Sequence, residues 1–273
     1  MYDKRTAIIL RWQFFYYRTK YIFLVVKYNY FLYNINNVFV EVNFLKKELA
    51  KIKLFQNLDK EALNELANIA KIKEYKKGDL LYSDREKIHT IYFVIEGVAS
   101  LYKPNPDNTK KVVFLFGAGD VLNEVIIYEN TTLLSCEFLA PTKLLEIDRE
   151  DFVKVLEKSY LLAKGVIESL IYKNRVMSHQ IKNTSNSITV DRQIALKLYK
   201  LARDFGIETD LGTEINFDLS ITYLSEILGA KRETVSRQVK VLSELGLIKV
   251  VRKRFTIPNQ NTLLDYFHGT YQN

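Results

Sequence analysis

The period of the hydrophobic pattern changes near residue 147, and this change constrains the fold of the chain more than any other feature. Between Gly78 and Ile147, apolar residues recur at every second position in short runs such as "IYFVIEGVASLY", and Gly, Pro and Asn separate the runs. Beyond Asp148, apolar residues recur every three or four positions. Alternation is typical of strands and the longer period is typical of helices. We therefore predict an α+β chain with a strand-rich part followed by a helical part.

The short strands predict a particular kind of sheet. Repeated strands of this length with Gly, Pro and Asn corners are typical of a closed or double-sheeted antiparallel unit, which hides its strand edges and encloses an interior. Glu96 and Gly97 are predicted to form the turn between two of these strands, and Asp59 is predicted to cap a preceding helix. The interior either holds a small ligand or is filled by side chains, and the residues leave both open.

The first 43 residues differ in composition from the rest. They are crowded with Tyr, Phe, Ile, Lys and Asn and contain no Gly, Pro, Ser, His or Cys. Charges at Arg11, Arg18, Lys20 and Lys27 keep every apolar run well below the roughly 20 residues of a membrane span, so we predict no membrane-spanning helix and expect no membrane partner. No small-residue cleavage site follows "FLVV", which argues against a signal peptide. Two interpretations remain, a start assigned too early, which we favour, or an interfacial membrane anchor.

Charge and cysteine content narrow the function classes. The 273 residues carry 40 Lys and Arg against 32 Asp and Glu, and the net charge of +8 suggests an acidic partner. The single cysteine, Cys136, excludes an internal disulfide framework and a four-thiolate iron–sulfur cluster within one chain, and it fits the reducing cytoplasm. Metal-ligand spacing, a Ser/His/Asp set and a phosphate loop are absent from the sequence, so we predict neither a metal site nor an enzyme.

A long helix is predicted from Tyr160 to about Asn183. Its apolar positions follow four-then-three spacing with one polar member, which is typical of a two-stranded coiled coil in which an Asn sets the register. A helix packed on its own domain needs a wider apolar stripe, which Val166 and Ile171 partly supply, but we favour the dimer seam. "NTSNS" then ends the helix and is a candidate hinge. The predicted seam consists of Ala163, Ile167, Leu170, Asn174, Met177 and Ile181.

Two short helices joined by a glycine follow in the C-terminal part. Ser220 is a plausible cap for the first helix, Gly229 ends it, and the second runs from about Lys231 to Leu245. This is the pattern of a helix-turn-helix, and a basic hairpin, "LIKVVRKRFTI", comes next. The candidate DNA contacts are Arg232, Glu233, Ser236, Arg237 and Lys240 on the second helix, and Lys253 and Arg254 on the hairpin.

These residue types suit the recognition of duplex DNA. An Arg fork matches the two major-groove acceptors of guanine, a Glu accepts from the amine of cytosine, and a Ser hydroxyl bonds a base or a phosphate. Lys and Arg on the hairpin add affinity without sequence information. A helix face that is merely solvated usually intersperses acids with bases, whereas here Arg232, Arg237 and Lys240 accompany a single Glu233. We therefore predict a protein that reads double-stranded DNA.

The segment "LSEILGAKRETVSRQVKVLSELGLIKV" resembles the DNA-binding helix pair of the Crp/Fnr family of bacterial transcription regulators. The resemblance extends back through "FGAGDVLNE" and "YFVIEGVASLY" and covers Phe44 to about Ile257. After the atypical extension (1–43), it implies a jelly-roll sensor (44–147), a dimerisation helix with a hinge (148–186) and a winged helix-turn-helix (187–273). It also implies a cytoplasmic homodimer that responds to an effector, binds an inverted-repeat operator and works with RNA polymerase. The alternative is a sensory or interaction module with a degenerate ligand site and no specific DNA binding.

The resemblance also bears on the ligand. Family members that bind cyclic AMP carry a Gly-Glu pair and a later Arg, whereas here Asn123 replaces the Gly and the Arg position falls near Thr132. A cyclic phosphate would lie there without a compensating cation, so cyclic AMP is not expected. One cysteine does not suffice for the iron–sulfur cluster of the oxygen-sensing branch, so no cofactor is predicted. The candidate pocket for an unknown small effector contains Glu124, Thr132 and Ser178.

Overall fold

The computed structural model describes residues 45–107, 109–183 and 188–271. The strands between residues 71 and 148 are β1 (Lys71–Tyr75), β2 (Leu80–Tyr82), β3 (Thr90–Glu96), β4 (Ala99–Pro104), β5 (Lys110–Phe116), β6 (Ser135–Phe138) and β7 (Thr142–Asp148). They form two sheets, with the strand orders β1-β7-β3 and β2-β6-β4-β5, and all neighbouring pairs are antiparallel. The double-sheeted antiparallel unit predicted from the alternating pattern is confirmed.

The turn between β3 and β4 explains why the sequence has a glycine there. Gly97 has a φ of 100°, which lies in the left-handed region. A Cβ atom at this position would lie 2.4 Å from Thr142 Oγ1 and 2.5 Å from Pro141 O. Only glycine tolerates both the positive φ and the close approach of these two atoms. The predicted turn at Glu96 and Gly97 is confirmed. The turn carries the chain from one sheet to the other.

The helices that accompany the sheets include α1 (Lys60–Ile69), α2 (Arg149–Lys158) and α3 (Tyr160–Asn183). Asp59 caps α1 as predicted, since its carboxylate accepts a hydrogen bond from Ala62 N at 2.8 Å. Phe152 of α2 packs on Phe93 of β3, with ring centroids 5.9 Å apart, and this contact seats α2 on the sheet. Within the described ranges, no helix combines the length and the hydropathy needed to cross a membrane.

The C-terminal domain contains helices and a four-stranded sheet with the strand order β10-β11-β9-β8. Its helices are α4 (Val190–Phe205), α5 (Ile221–Leu228), α6 (Arg232–Glu244) and α7 (Gln260–His268). Its strands are β8 (Gly206–Thr209), β9 (Gly212–Ile215), β10 (Lys249–Val251) and β11 (Arg254–Ile257). The predicted helix-turn-helix is formed by α5 and α6, whereas β8 and α7 are elements that the sequence pattern does not predict.

Local signals define α5 and the turn that follows it. Ser220 Oγ accepts a hydrogen bond from Tyr223 N at 3.0 Å, which confirms the predicted cap. Gly229 has a φ of 70° and ends the helix in the left-handed conformation that favours glycine. Leu224 of α5 and Val235 of α6 are buried in the same apolar cluster, so the two helices form one packed unit.

Candidate DNA interface and sensor interior

Helix α6 has a buried side and an exposed side. Val235, Val239 and Leu242 are buried in the core of the C-terminal domain. All five polar residues predicted on this helix are exposed. Helical spacing places Glu233, Ser236, Arg237 and Lys240 on the side opposite the buried residues, and Arg232 lies in the first turn. We call this set the readout face: Arg232, Glu233, Ser236, Arg237 and Lys240.

Three side chains of the readout face are free to bind a partner. Among the described residues, the side-chain bonds of this face are those of Arg232 Nε to Thr222 Oγ1 at 3.2 Å and of Lys240 Nζ to Glu244 Oε1 at 3.7 Å. The exposed Lys240 pair is weak, so a phosphate can replace the carboxylate. Glu233, Ser236 and Arg237 make no side-chain bond within the described ranges, and their donors and acceptors face solvent.

The hairpin of β10 and β11 turns on two non-glycine residues. Arg252 has a φ of 49° and Lys253 a φ of 70°, and two positive values in succession define a type I′ turn. This conformation costs a residue with a Cβ about 1–2 kcal/mol. Leu219 N donates to Lys253 O at 2.8 Å and helps to hold the turn. The hairpin thus forms without a turn glycine and presents two exposed cations, Arg252 and Lys253, which we call the wing tip.

Arg254 is predicted to contact DNA, but the structure turns it toward its own domain. Its Nε donates to Asp218 Oδ1 at 3.1 Å, and its Nη1 donates to Ile215 O at 3.3 Å. Asp218 also bonds Lys77 of the sensor, and this bond, more than the one to Arg254, lowers the pKa of the Asp218 carboxyl. Because its Nε and Nη1 already donate within its own domain, Arg254 orders the base of the hairpin.

The interior of the sensor contains a buried ion pair between Glu124 and Lys173 of α3, which are 2% and 7% exposed. Lys173 Nζ bonds Glu124 Oε2 and also donates to Val121 O and Leu122 O, each at 3.1 Å. Ser169 Oγ donates to Glu124 Oε1 at 2.6 Å. Burial lowers the pKa of Lys173, and the Glu124 carboxylate opposes this shift. Both side chains of the pair are hydrogen-bonded. These bonds offset part of the free energy that is lost when two charges are removed from water.

Lys173 and Ser169 are not among the site residues predicted from the sequence. A signal for Lys173 exists, because it follows Leu162 and Val166, both buried, at helical spacing. A charged residue on the buried side of a helix requires a buried counter-charge. Sequence periodicity alone does not indicate which acid supplies that charge.

The three candidate pocket residues lie in different surroundings. Glu124 is bound by Lys173 and Ser169, as described above. Thr132 is buried, and its hydroxyl accepts from Glu86 N at 3.0 Å and donates to Ser83 O at 2.6 Å, so it anchors the loop after β2. Ser178 is exposed on α3 and donates to Asn174 O at 3.0 Å. No hydrogen bond joins these three residues to one another.

Cys136 is a core residue of the sensor. It is fully buried, and burial raises the pKa of its thiol, which therefore stays protonated. Within the part of the chain that the structure describes, no group of three or more His, Cys, Asp and Glu residues is arranged to hold a metal ion.

The outer side of α3 is apolar and exposed. Ile167, Leu170 and Met177 of the predicted seam are 56%, 39% and 42% exposed, and Asn174 is exposed between them. Ala163 is half-buried, and the side chain of Ile181 lies outside the described residues. The predicted hinge at "NTSNS" also falls largely outside them. The dimer seam stays a prediction, and the exposed apolar side chains are consistent with it.

Known proteins match both domains. Residues 72–159 match the cyclic nucleotide-binding domain family, and residues 192–266 match the Crp-like helix-turn-helix domain family. The chain belongs to the Crp/Fnr family. This Crp/Fnr protein is thus a transcription regulator with a DNA-binding helix-turn-helix.

Similar proteins match most of the length of the chain. The CRP-like cAMP-activated global transcriptional regulator of Mycobacterium tuberculosis is 21% identical over 222 residues, which are 79% of this chain and 96% of that protein. The structure of FixK2 from Bradyrhizobium japonicum matches with a TM-score of 0.64 at 18% identity, covering 75% of this chain and 98% of that one. The c-di-GMP responsive global regulator CLP of Xanthomonas campestris matches with a TM-score of 0.64 at 18% identity, covering 74% and 100%. The predicted fold, a jelly roll, a long helix and a winged helix-turn-helix, is confirmed.

Proposed function

We propose that this Crp/Fnr regulator binds an inverted-repeat operator as a homodimer and that its jelly roll controls this binding in response to an effector. The observation that carries the proposal is the readout face, where Glu233, Ser236 and Arg237 are exposed and unpaired among the described residues. Two such faces related by a two-fold axis, about one DNA turn apart, read two half-sites of opposite orientation. We also propose RNA polymerase as a further partner and the cytoplasm as the location.

The proposed contacts divide into two kinds. Arg237 is the candidate for a bidentate contact with guanine, Glu233 for the cytosine amine, and Ser236 for a base edge or a phosphate. Arg232, Lys240 and the wing tip supply contacts to phosphates, which position the domain without reading sequence. We leave Arg254 out of this interface because its donors bind carboxylate and carbonyl oxygens of its own domain.

Selection of bound duplexes from a random pool, followed by footprinting, tests the proposal. The purified protein should enrich an inverted repeat whose half-site centres lie about 10 base pairs apart and protect both half-sites. A pool without a palindrome, together with equal affinity for scrambled DNA, would contradict specific reading. That outcome would favour a sensory or interaction module without an operator.

The wing tip should contribute affinity but no specificity. Replacing Lys253 with Gln removes a cation while leaving the turn residue at similar size. Binding to the operator and to random duplex should weaken alike, and the slope of log affinity against log salt should fall by about 1. Fluorescence anisotropy at several salt concentrations measures both effects. The control variant Lys76→Gln, which removes an exposed lysine of the sensor, should leave the slope unchanged. If Lys253→Gln lowers affinity for the operator alone, the proposed role of the wing tip is refuted.

The homodimer is proposed to form along α3. Replacing Ile167 with Glu would place two unpaired carboxylates at the two-fold seam, which costs several kcal/mol of association free energy. Sedimentation velocity should then show monomers, and operator affinity should collapse. Tyr172→Glu is a matched control, since Tyr172 is 57% exposed against 56% for Ile167 but points about 140° away around the helix. A dimer that survives Ile167→Glu would place the two-fold interface elsewhere.

The effector response is proposed to act through the Glu124–Lys173 pair. Lys173 lies on the same helix as the predicted seam, so a ligand that engages Glu124 must displace the ammonium and disturb α3. An effector controls binding only if it prefers one arrangement of the dimer to the other. We propose a small molecule other than cyclic AMP, because the sequence has no Lys or Arg between Asn130 and Glu137 and the Thr132 hydroxyl is already bonded.

Calorimetric titration with cyclic AMP should therefore detect no binding. Incubating the purified protein with a metabolite extract and identifying the retained compound by mass spectrometry would name the effector. Tight binding of cyclic AMP would overturn this part of the proposal.

A further inference from the structure

The first helix of the helix-turn-helix contacts the sensor through a polar network. Tyr223 of α5 is hydrogen-bonded to Ser100 Oγ of β4, and its hydroxyl donates to Glu137 Oε1 of β6 at 3.0 Å. Ser100 and Glu137 face each other across the β4–β6 pair. Lys110 Nζ of β5 bonds the same carboxylate oxygen at 2.5 Å. Burial raises the pKa of Tyr223, so its hydroxyl keeps the proton that it donates.

Aromatic and apolar contacts surround this network. Lys110 Nζ lies 4.7 Å from the ring centroid of Tyr102 and 4.8 Å from that of Tyr223, so one cation sits against an aromatic ring from each domain. Val98, Val112 and Leu139 of the sensor are buried in the same cluster as the core of the C-terminal domain. The apolar layer excludes water, which strengthens the charged hydrogen bonds beside it.

A second cation of β5 holds the other end of α5. Lys111 Nζ donates to Ile227 O at 2.9 Å, in the last turn of the helix, where a positive charge is favoured by the helix dipole. Consecutive residues of one strand therefore engage both ends of α5. Since α5 and α6 share a packed core, fixing α5 on the sensor also fixes the readout face.

We propose that Tyr223, Glu137 and Lys110 form an interdomain clamp that holds the DNA-binding domain in the orientation that presents α6 to DNA. The inference rests on the proposed function. The clamp is proposed to favour DNA binding and not to restrain it, because the readout face and the wing tip are exposed to solvent in the clamped arrangement. Tyr223 is then a positioning residue, because it affects DNA binding through its bonds to the sensor. Without the clamp, only a fraction of molecules would hold both readout faces at operator spacing, and apparent affinity falls by that fraction.

Tyr223→Phe and Glu137→Gln test the clamp in the full-length protein. Each should weaken binding to the inverted repeat selected by the unmodified protein, by roughly tenfold, which corresponds to one hydrogen bond to a charged group. Each should leave binding to a duplex with a single half-site unchanged, because one domain on one half-site needs no fixed orientation. Tyr266→Phe is the matched control, since the Tyr266 hydroxyl donates to Asp191 at 2.7 Å within the DNA-binding domain. It should leave the ratio of full-site to half-site affinity unchanged.

Three outcomes would overturn the clamp. Unchanged full-site affinity in both variants would show that the network does not position the domain. Tighter binding would show that the contact restrains DNA binding instead. Equal losses on full-site and half-site duplexes would show a direct or a folding effect, and the melting temperatures of the variants identify the latter. If the unmodified protein prefers no inverted repeat, the proposed function fails, whereas a preference unaffected by Tyr223→Phe and Glu137→Gln refutes the clamp alone.

Discussion

Replacing Arg237 with Ala is expected to remove discrimination at one base pair of each half-site, at a cost of roughly 1–3 kcal/mol per half-site. The reason is that the guanidinium is exposed on the readout face and unpaired within the described residues, so its five donors are available to the two acceptors of a guanine. The same change should not destabilise the fold, because Ala is a good helix former and no partner is left unsatisfied. Competition binding with every base substituted in turn along the operator measures the effect.

Two control variants separate base recognition by Arg237 from the general effect of removing a positive charge. Arg192→Ala removes an exposed arginine from α4 of the same domain and should leave the base preferences unchanged. Lys253→Gln should weaken all duplexes by similar factors. Direct readout by Arg237 is refuted if its replacement lowers affinity equally for the operator and for every substituted duplex.

Replacing Lys173 with Met is expected to lower the free energy of unfolding by about 3–5 kcal/mol. Met fills a similar volume but leaves the Glu124 carboxylate buried without its cation, and it also removes the donor to two backbone carbonyls. A loss of this size is a large part of the stability of an ordinary domain. Chemical denaturation followed by circular dichroism provides the measurement.

A double variant tests whether the pair is the cause. Combining Lys173→Met with Glu124→Gln removes both charges, so it should be less damaging than the sum of the two single changes. Lys164→Met is the matched control, because Lys164 forms only an exposed pair with Glu168 at 3.7 Å on the same helix. A loss below about 1 kcal/mol for Lys173→Met would contradict a buried, mutually dependent pair.

The features that could be predicted from the sequence are those in which neighbours along the chain supply the physical cause. Asp59 and Ser220 cap their helices through amides three residues later, Gly229 ends α5 in a conformation that favours glycine, and helical spacing places Arg237 on the exposed side of α6. The alternation that predicts the sheets is equally local.

The features that the sequence left open depend on residues far apart in the chain. The bond between Lys173 and Glu124 spans 49 residues, that between Arg254 and Asp218 spans 36, and that between Tyr223 and Ser100 spans 123. β8 is exposed along its whole length, so it lacks the apolar alternation of a half-buried strand, and its pairing with β9 defines it.

The sequence by itself determined the fold class, the helix pair and which side of α6 is polar, because backbone geometry converts spacing into direction without reference to the rest of the molecule. Only the tertiary structure decided that Glu124 binds an internal lysine, that Arg254 orders its own domain and that Tyr223 joins the two domains. Each of these depends on which distant group occupies the remaining hydrogen-bonding position, and a periodic pattern contains no information about that choice.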